Sequence, residues 1–312
     1  MKQSVVAPAL ALALLFGLSG CGGGDGSSSS SGNGSAGDNP VSAPGTTYPA
    51  GSQQALAFTT TNSERDHCGF GTLQQSTLLD QSATAHMNYM VTNNVVAHTE
   101  DPGKPGFTGV TPATRAAAAG YTNAAIGEVI SFPMFSSGNT ADAVRRLFAA
   151  PYHGQLMLDS ARDIGIGSAP FQGVTGLTMD FGFPNSVTRT VPTSVLTYPC
   201  EGTTGTLAFN RNETPNPFPD QQNPTWGQPI MLRGPSDLHV TSATITGPQG
   251  TVAIQVIYGD GQATDPQGLI NRGWAAVMPV ALVTNTEYAV SVNWTARGVS
   301  GGSNFKFSTG AQ

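Results

Sequence analysis

The chain has 312 residues, a formal charge of −6 and only 10% charged side chains, against roughly 25% in an average soluble domain. It carries no basic cluster, which argues against a nucleic-acid partner, while glycine (39) and proline (22) are abundant, as in a loop-rich chain with much β structure. The length exceeds one ordinary domain, so two domains plus tails are expected.

In chain order, Lys2 precedes an apolar stretch from Val5 to Leu18 that is too short to span a bilayer and reads as a signal peptide. It ends in Leu18-Ser19-Gly20-Cys21, which resembles the lipobox of bacterial lipoproteins. The resemblance implies a signal peptide over 1–21, a lipid on Cys21, a membrane partner reached through that anchor, and an outer-membrane address if the cell has two membranes. Residues 22–54 are Gly- and Ser-rich, too poor in apolar side chains to bury a core, and read as a tether. With Cys21 taken, Cys68 and Cys200 remain as an even pair, for which an oxidising compartment predicts a disulfide. It would close a loop of over a hundred residues, worth ~4–5 kcal/mol in the chain-entropy model. The alternative, a Cys68 nucleophile beside His67, is weakened because sequence neighbours rarely face each other.

From Gln74 the spacing becomes helical, with Leu79, Ala83, Met87 and Met90 on one stripe that ends near Asn93-Asn94. His86 borders this stripe and reads as a hydrogen-bonded core residue. The run from Asp101 to Gly106 is broken by Pro and Gly. Thr111-Pro112 reads as an N-cap with proline at the first helical position, opening a short helix through Arg115 and Ala119 that stops at Gly120. Arg115 either pairs with a carboxylate or is a solvated helix charge.

Glu128 lies among Ile126, Val129, Ile130 and Phe132. A carboxylate in an apolar strand costs several kcal/mol unless paired, so it needs a partner or a raised pKa. The expected partner is His98 or His153. Asn139 or Thr140 caps the next helix, with Ala143, Val144, Leu147 and Phe148 facing inward. Pro151 ends it and His153 begins the next turn. Ile164 and Ile166 alternate with glycines in one strand, and Val174 to Phe183 forms another.

Residues 204–226 read as a Pro/Asn linker. The remainder, 227–312, holds short apolar-alternating runs separated by turns such as Gly247-Pro-Gln-Gly250, at the spacing of a β-sandwich. Thr286-Glu287-Tyr288-x-Val290 and the final Asn304-to-Gly310 segment resemble the last two strands of bacterial Ig-like modules, with Tyr288 as a structural corner. Trp226, Trp274 and Trp294 read as core.

Within the middle of the chain, the order of motifs carries more than any one of them. Asn94-x-x-x-His98 is followed by Gly106-Phe-Thr-Gly109, Arg115, Ala119-Gly120-Tyr121, Gly127-Glu128-Val-Ile130, Pro151-Tyr-His153-Gly154 and Asp163-Ile-Gly-Ile-Gly167. The succession from Leu78 to Ser168 resembles the bacterial branch of the CAP superfamily, which takes in cysteine-rich secretory proteins, antigen 5 and plant pathogenesis-related proteins. The resemblance implies an α+β fold: a three-layer α/β/α CAP sandwich over 55–203, followed here by the Ig-like β-sandwich. It also implies a cavity lined by His98, Glu128 and His153. The family's second glutamate would fall near Ala149 or Ala150, which leaves a triad.

Three functions are expected from this set. In the first, the protein binds a divalent metal, zinc above others, through His98 and His153, or a small-molecule, lipid or wall ligand, with Glu128 orienting a histidine or a water. In the second, it is a metal-assisted hydrolase of a peptide or wall component with Glu128 as general base. In the third, it is a surface scaffold or adhesin. No Gly-x-Ser-x-Gly elbow, Walker loop, His-Glu-x-x-His or calcium loop occurs.

Overall fold

The computed structural model describes residues 45–132, 139–188, 191–259 and 261–311, so Cys21 and the segments 1–21 and 22–44 lie outside the described residues. The elements in order are α1 (Gln53–His67), β1 (Gln74–Gln75), α2 (Thr77–Asn93), α3 (Pro112–Ala118), β2 (Ala124–Ser131), α4 (Thr140–Phe148), α5 (Pro151–Leu158), β3 (Asp163–Phe171) and β4 (Val174–Pro184). They continue as β5 (Leu196–Tyr198), β6 (Thr203–Thr206), β7 (Ile230–Arg233), β8 (His239–Gly247), β9 (Gly250–Val252), β10 (Ile254–Gly259), β11 (Trp274–Pro279), β12 (Glu287–Ala296) and β13 (Val299–Thr309). The architecture mixes helices and sheets, and among the described residues the helices fall in the first half.

The helix limits follow local chemistry. The Ser76 side chain accepts from Leu79 N–H to start α2, and Asn94 ends it in the left-handed conformation at φ 52°. Thr111 and Thr114 cap each other at the start of α3, with Pro112 in the first turn. Pro151 does not end a helix and leave His153 in a turn: it opens α5, and His153 lies inside that helix, because a missing N–H costs nothing at the first helical position.

Sheet β1-β3-β4-β2 is the centre of the first half. α2 crosses one face so closely that a Cβ on Gly165 would sit 2.1 Å from the Leu79 carbonyl carbon, and one on Gly167 2.4 Å from that of Ala83. The alternating glycines of β3 are therefore the helix seat. The opposite face (Val129, Ile164, Ile166, Met179, Phe181) packs on Phe58, Val144, Leu147, Phe148 and Met157 of α1, α4 and α5.

The same core continues beyond these helices into the second half. Tyr198, Phe218, Trp226, Met231, Trp274, Ala276 and Met278 belong to it, so the helical layer is buried between the central sheet and sheet β10-β11-β7-β5. The far face of that sheet (Ile230, Leu232, Ala275, Val277) meets Val240, Ile245, Tyr288, Val290, Val292, Phe305 and Phe307 of sheet β6-β13-β12-β8-β9. Every residue of β11 is buried, as a strand covered on both faces requires. Tyr288 accepts the Val283 N–H at 2.8 Å. Trp226 and Trp274 are buried, and Trp294 is half-buried against Gly301.

Residues 204–226, linker-like in composition, are packed against the helices: Trp226 Nε1 donates to Ala149 O at 2.9 Å and Asn210 Nδ2 to Arg146 O at 3.3 Å. β5 and β6 pair with β7 and β13 rather than with the first sheet. The Cys68–Cys200 disulfide spans 132 positions and ties the end of α1 to the turn between β5 and β6.

Candidate functional site

The register of β2 on β4 places Glu128 directly opposite Asp180, on the face covered by α2. Glu128 Oε2 accepts from Arg115 Nη2 at 2.6 Å, and its Oε1 faces His98 Nδ1 at 2.9 Å. Arg115 also donates from Nη1 to His98 O at 3.0 Å, so one guanidinium fixes both the carboxylate and the backbone of the histidine that touches it. Arg115 and Glu128 are buried, whereas the His98 side chain is 48% exposed.

Glu100 and His86 complete the cluster. The Gly106–Gly109 loop wraps the Glu100 carboxylate, with Thr108 N–H donating at 2.6 Å and Gly109 N–H at 3.3 Å. His86 Nδ1 faces Glu100 Oε1 at 2.9 Å, its Nε2 faces Ala97 O at 2.8 Å, and Glu128 lies 3.8 Å away. Arg115 Nε is 3.8 Å from Glu100 Oε1, beyond hydrogen-bond reach. His86 is thus a hydrogen-bonded core residue that also holds the site's second carboxylate.

Burial alone would raise the Glu128 pKa. The His98 hydrogen bond and the Arg115 and His86 charges outweigh it and hold the carboxyl below its usual range. Asp180 goes the other way: burial, then the Glu128 charge, push it well above the carboxylate range, against the pull of Ser82 and Arg115. Ser82 Oγ donates to Asp180 Oδ2 at 2.7 Å, while Oδ1 has no hydrogen-bond partner among the described residues. Burial and the neighbouring anion thus disfavour the ionised form of Asp180 in the fold relative to water.

His153 belongs to a different pair. Its Nδ1 faces Glu213 Oε1 at 3.1 Å, and the same oxygen accepts the backbone N–H of Tyr152 at 2.8 Å and of His153 at 3.1 Å. Ala150 offers α5 no side-chain cap, and Glu213 serves as the cap from sixty positions away. Burial raises the Glu213 pKa against the opposing pull of His153.

A cavity of about 510 Å³ is lined by both His98 and His153, whereas Glu128 and Arg115, expected on its wall, lie behind His98 and are not part of its lining. The cavity is lined by the loop carrying His98, the end of β2 (Ile130, Ser131) with Phe132 just beyond it, Arg146 and Leu147 of α4, His153, and residues 210–214. The structure therefore brings His98, Glu128 and Arg115 into direct contact and sets His153 on the same cavity with its own carboxylate. Glu100, Asp180 and Glu213 escaped the sequence reading. Asp180, an acid within Leu177-Thr-Met-Asp-Phe181, carries the signal that singled out Glu128. Glu213, in linker-like composition, carries none.

The donor set is a poor fit to a metal. Among the described residues no three His, Cys, Asp or Glu side chains are placed to hold one ion. Two ring nitrogens fall short of the three protein ligands usual at catalytic zinc, so these residues do not by themselves make a resident zinc centre.

No family model and no curated protein matches the chain. Among solved structures, an outer surface protein from Borrelia burgdorferi aligns at 14% identity and a TM-score of 0.37, over 44% of this chain and 97% of that one. An extracellular protein containing a SCP domain from Bacillus anthracis str. Ames aligns at 19% identity and a TM-score of 0.34, over 42% of this chain and 40% of that one. At those scores neither neighbour's properties transfer to this chain.

Proposed function

We propose that this chain is a lipid-anchored, extracytoplasmic protein of the bacterial cell envelope that binds a small ligand in the cavity between His98 and His153. In this reading the helical half is a CAP-type sandwich, the C-terminal sheets are an Ig-like support, and Cys21 carries the lipid. One observation carries the binding claim: two imidazoles, each backed by a buried carboxylate, line one cavity of about 510 Å³, within the ~300–1,000 Å³ range of small-molecule sites. The lining combines apolar Val96, Ile130, Phe132 and Leu147 with polar Asn210, Asn212 and Thr214, which suits a ligand with both apolar and hydrogen-bonding groups.

The test is mass spectrometry of small molecules released from protein purified out of bacterial envelopes. The wild type is expected to carry a compound that the His98→Ala, His153→Ala double variant loses. Equal amounts in the two proteins would remove the cavity from the reading. The anchor is tested separately: Cys21→Ser is expected to abolish incorporation of labelled palmitate and to free the protein from membranes.

A further inference from the structure

The two imidazoles of the cavity are held in the same manner by carboxylates from distant parts of the chain. His98 Nδ1 faces Glu128, from β2 of the central sheet. His153 Nδ1 faces Glu213, from the stretch between β6 and β7 that composition presents as a spacer. We propose that Glu213 is a positioning residue of the cavity: it fixes His153 as the Nδ1–H tautomer and leaves Nε2 as the free acceptor or base, making the linker-like stretch part of the binding site.

The assignment follows from donor counting. Glu213 Oε1 already accepts two backbone N–H groups, so it cannot itself present a proton, and the ring nitrogen facing it must donate. Whatever the charge on Glu213, the proton of a neutral His153 belongs on Nδ1. Nε2 of His98 and of His153 makes no hydrogen bond among the described residues. In neutral form each ring therefore offers one lone pair, as histidines do when a carboxylate behind them fixes the tautomer. The His153 side chain keeps 15% exposure while the Glu213 side chain has none, so the carboxylate acts on a ligand only through the ring. Its anchorage is tertiary: Asn210, three residues earlier, bonds Arg146 O, and Tyr258 Oη donates to Pro217 O at 2.7 Å.

The proposal rests on the cavity reading for its purpose, but its test does not require a ligand. Full-length protein labelled with ¹⁵N-histidine, measured by long-range ¹H–¹⁵N correlation above the pH at which the rings lose their second proton, reports each tautomer directly. In the wild type, His153 is expected as Nδ1–H over Nε2–H by roughly tenfold or more, the preference a hydrogen bond to a carboxylate confers. Glu213→Gln keeps an acceptor oxygen for the two backbone N–H groups and for the ring, so Nδ1–H should persist there; Glu213→Ala removes the acceptor and should bring the ratio to within about threefold of unity, with the His98 signals unchanged. An Nδ1–H preference that survives Glu213→Ala would show that Glu213 does not set the tautomer, and this result overturns the proposal. So does an Nε2–H ring in the wild type, which needs no variant and decides the matter even if Glu213→Ala fails to fold. A wild-type protein that carries no co-purified compound but shows the Nδ1–H ring would instead count against the binding reading alone.

Discussion

Glu128→Gln isolates the electrostatic centre of the site. The Arg115 guanidinium and the Glu128 carboxylate are both buried and 2.6 Å apart. At the effective dielectric of ~20 that suits protein sites, two unit charges with centres ~4 Å apart attract by ~4 kcal/mol, and breaking a buried pair from one side costs ~3–5 kcal/mol because a charge is left stranded. Two features reduce the loss here. Glu100 remains 3.8 Å from Arg115 Nε, and removing the Glu128 charge relieves Asp180, which that charge pushes upward. A loss of about 3 kcal/mol at pH 7 is expected, read by urea unfolding of the oxidised protein through the buried Trp226 and Trp274, with an unchanged denaturant slope. The pH dependence has a definite sign. Because the folded-state pKa of Glu128 is depressed, its contribution is present above the unfolded glutamate value of ~4.3 and fades as pH falls through the lower folded value. Glu128→Gln should lose that acid-side component. A cost under ~1 kcal/mol with the same slope would mean the pair is not desolvated as described, and the account of the site would fail.

Asp180→Asn should behave oppositely: its folded-state pKa is raised, so the wild type loses stability as pH rises above the ordinary aspartate value of ~3.9. The variant should gain relative to it over that window in melting temperature against pH; a parallel pair of curves would contradict the raised pKa. Gly165→Ala puts a Cβ against the α2 backbone and is expected to cost ~2–3 kcal/mol as an overpacked contact or to prevent folding, checked by circular dichroism and unfolding. Replacing Cys68 and Cys200 together by serine should cost ~2–5 kcal/mol, the usual range for a native disulfide, in the same unfolding measurement. Zinc chloride titrated into tag-free protein should give no ion that survives dialysis against a chelator; one equivalent retained would show that a third donor exists.

Much of the first half could be read from residues alone because its signals are local. Asn93-Asn94, Thr111 and Pro112 mark helix ends in the sequence itself, whereas Ser76 as a cap and the glycines of β3 as the seat of α2 emerged only with the helix in place. Glu128 stood out since a carboxylate in an apolar strand has few bearable environments, and Arg115 was one of its few available counter-charges. Asp180 carries the same mark but becomes meaningful only beside Glu128, through a strand register that the periodicity of either strand alone leaves open. His153 could be picked out, but not its partner. Glu213 reaches it across sixty positions, from a segment whose polar, proline-rich composition matches a solvated spacer and whose burial depends on the helices it covers. Charge, turns, caps and the need of a buried anion for company are thus properties of the sequence. Which carboxylate meets which imidazole, and that the helical layer is buried from two sides, were decided by long-range packing, since such contacts depend on neighbours that the local sequence does not contain.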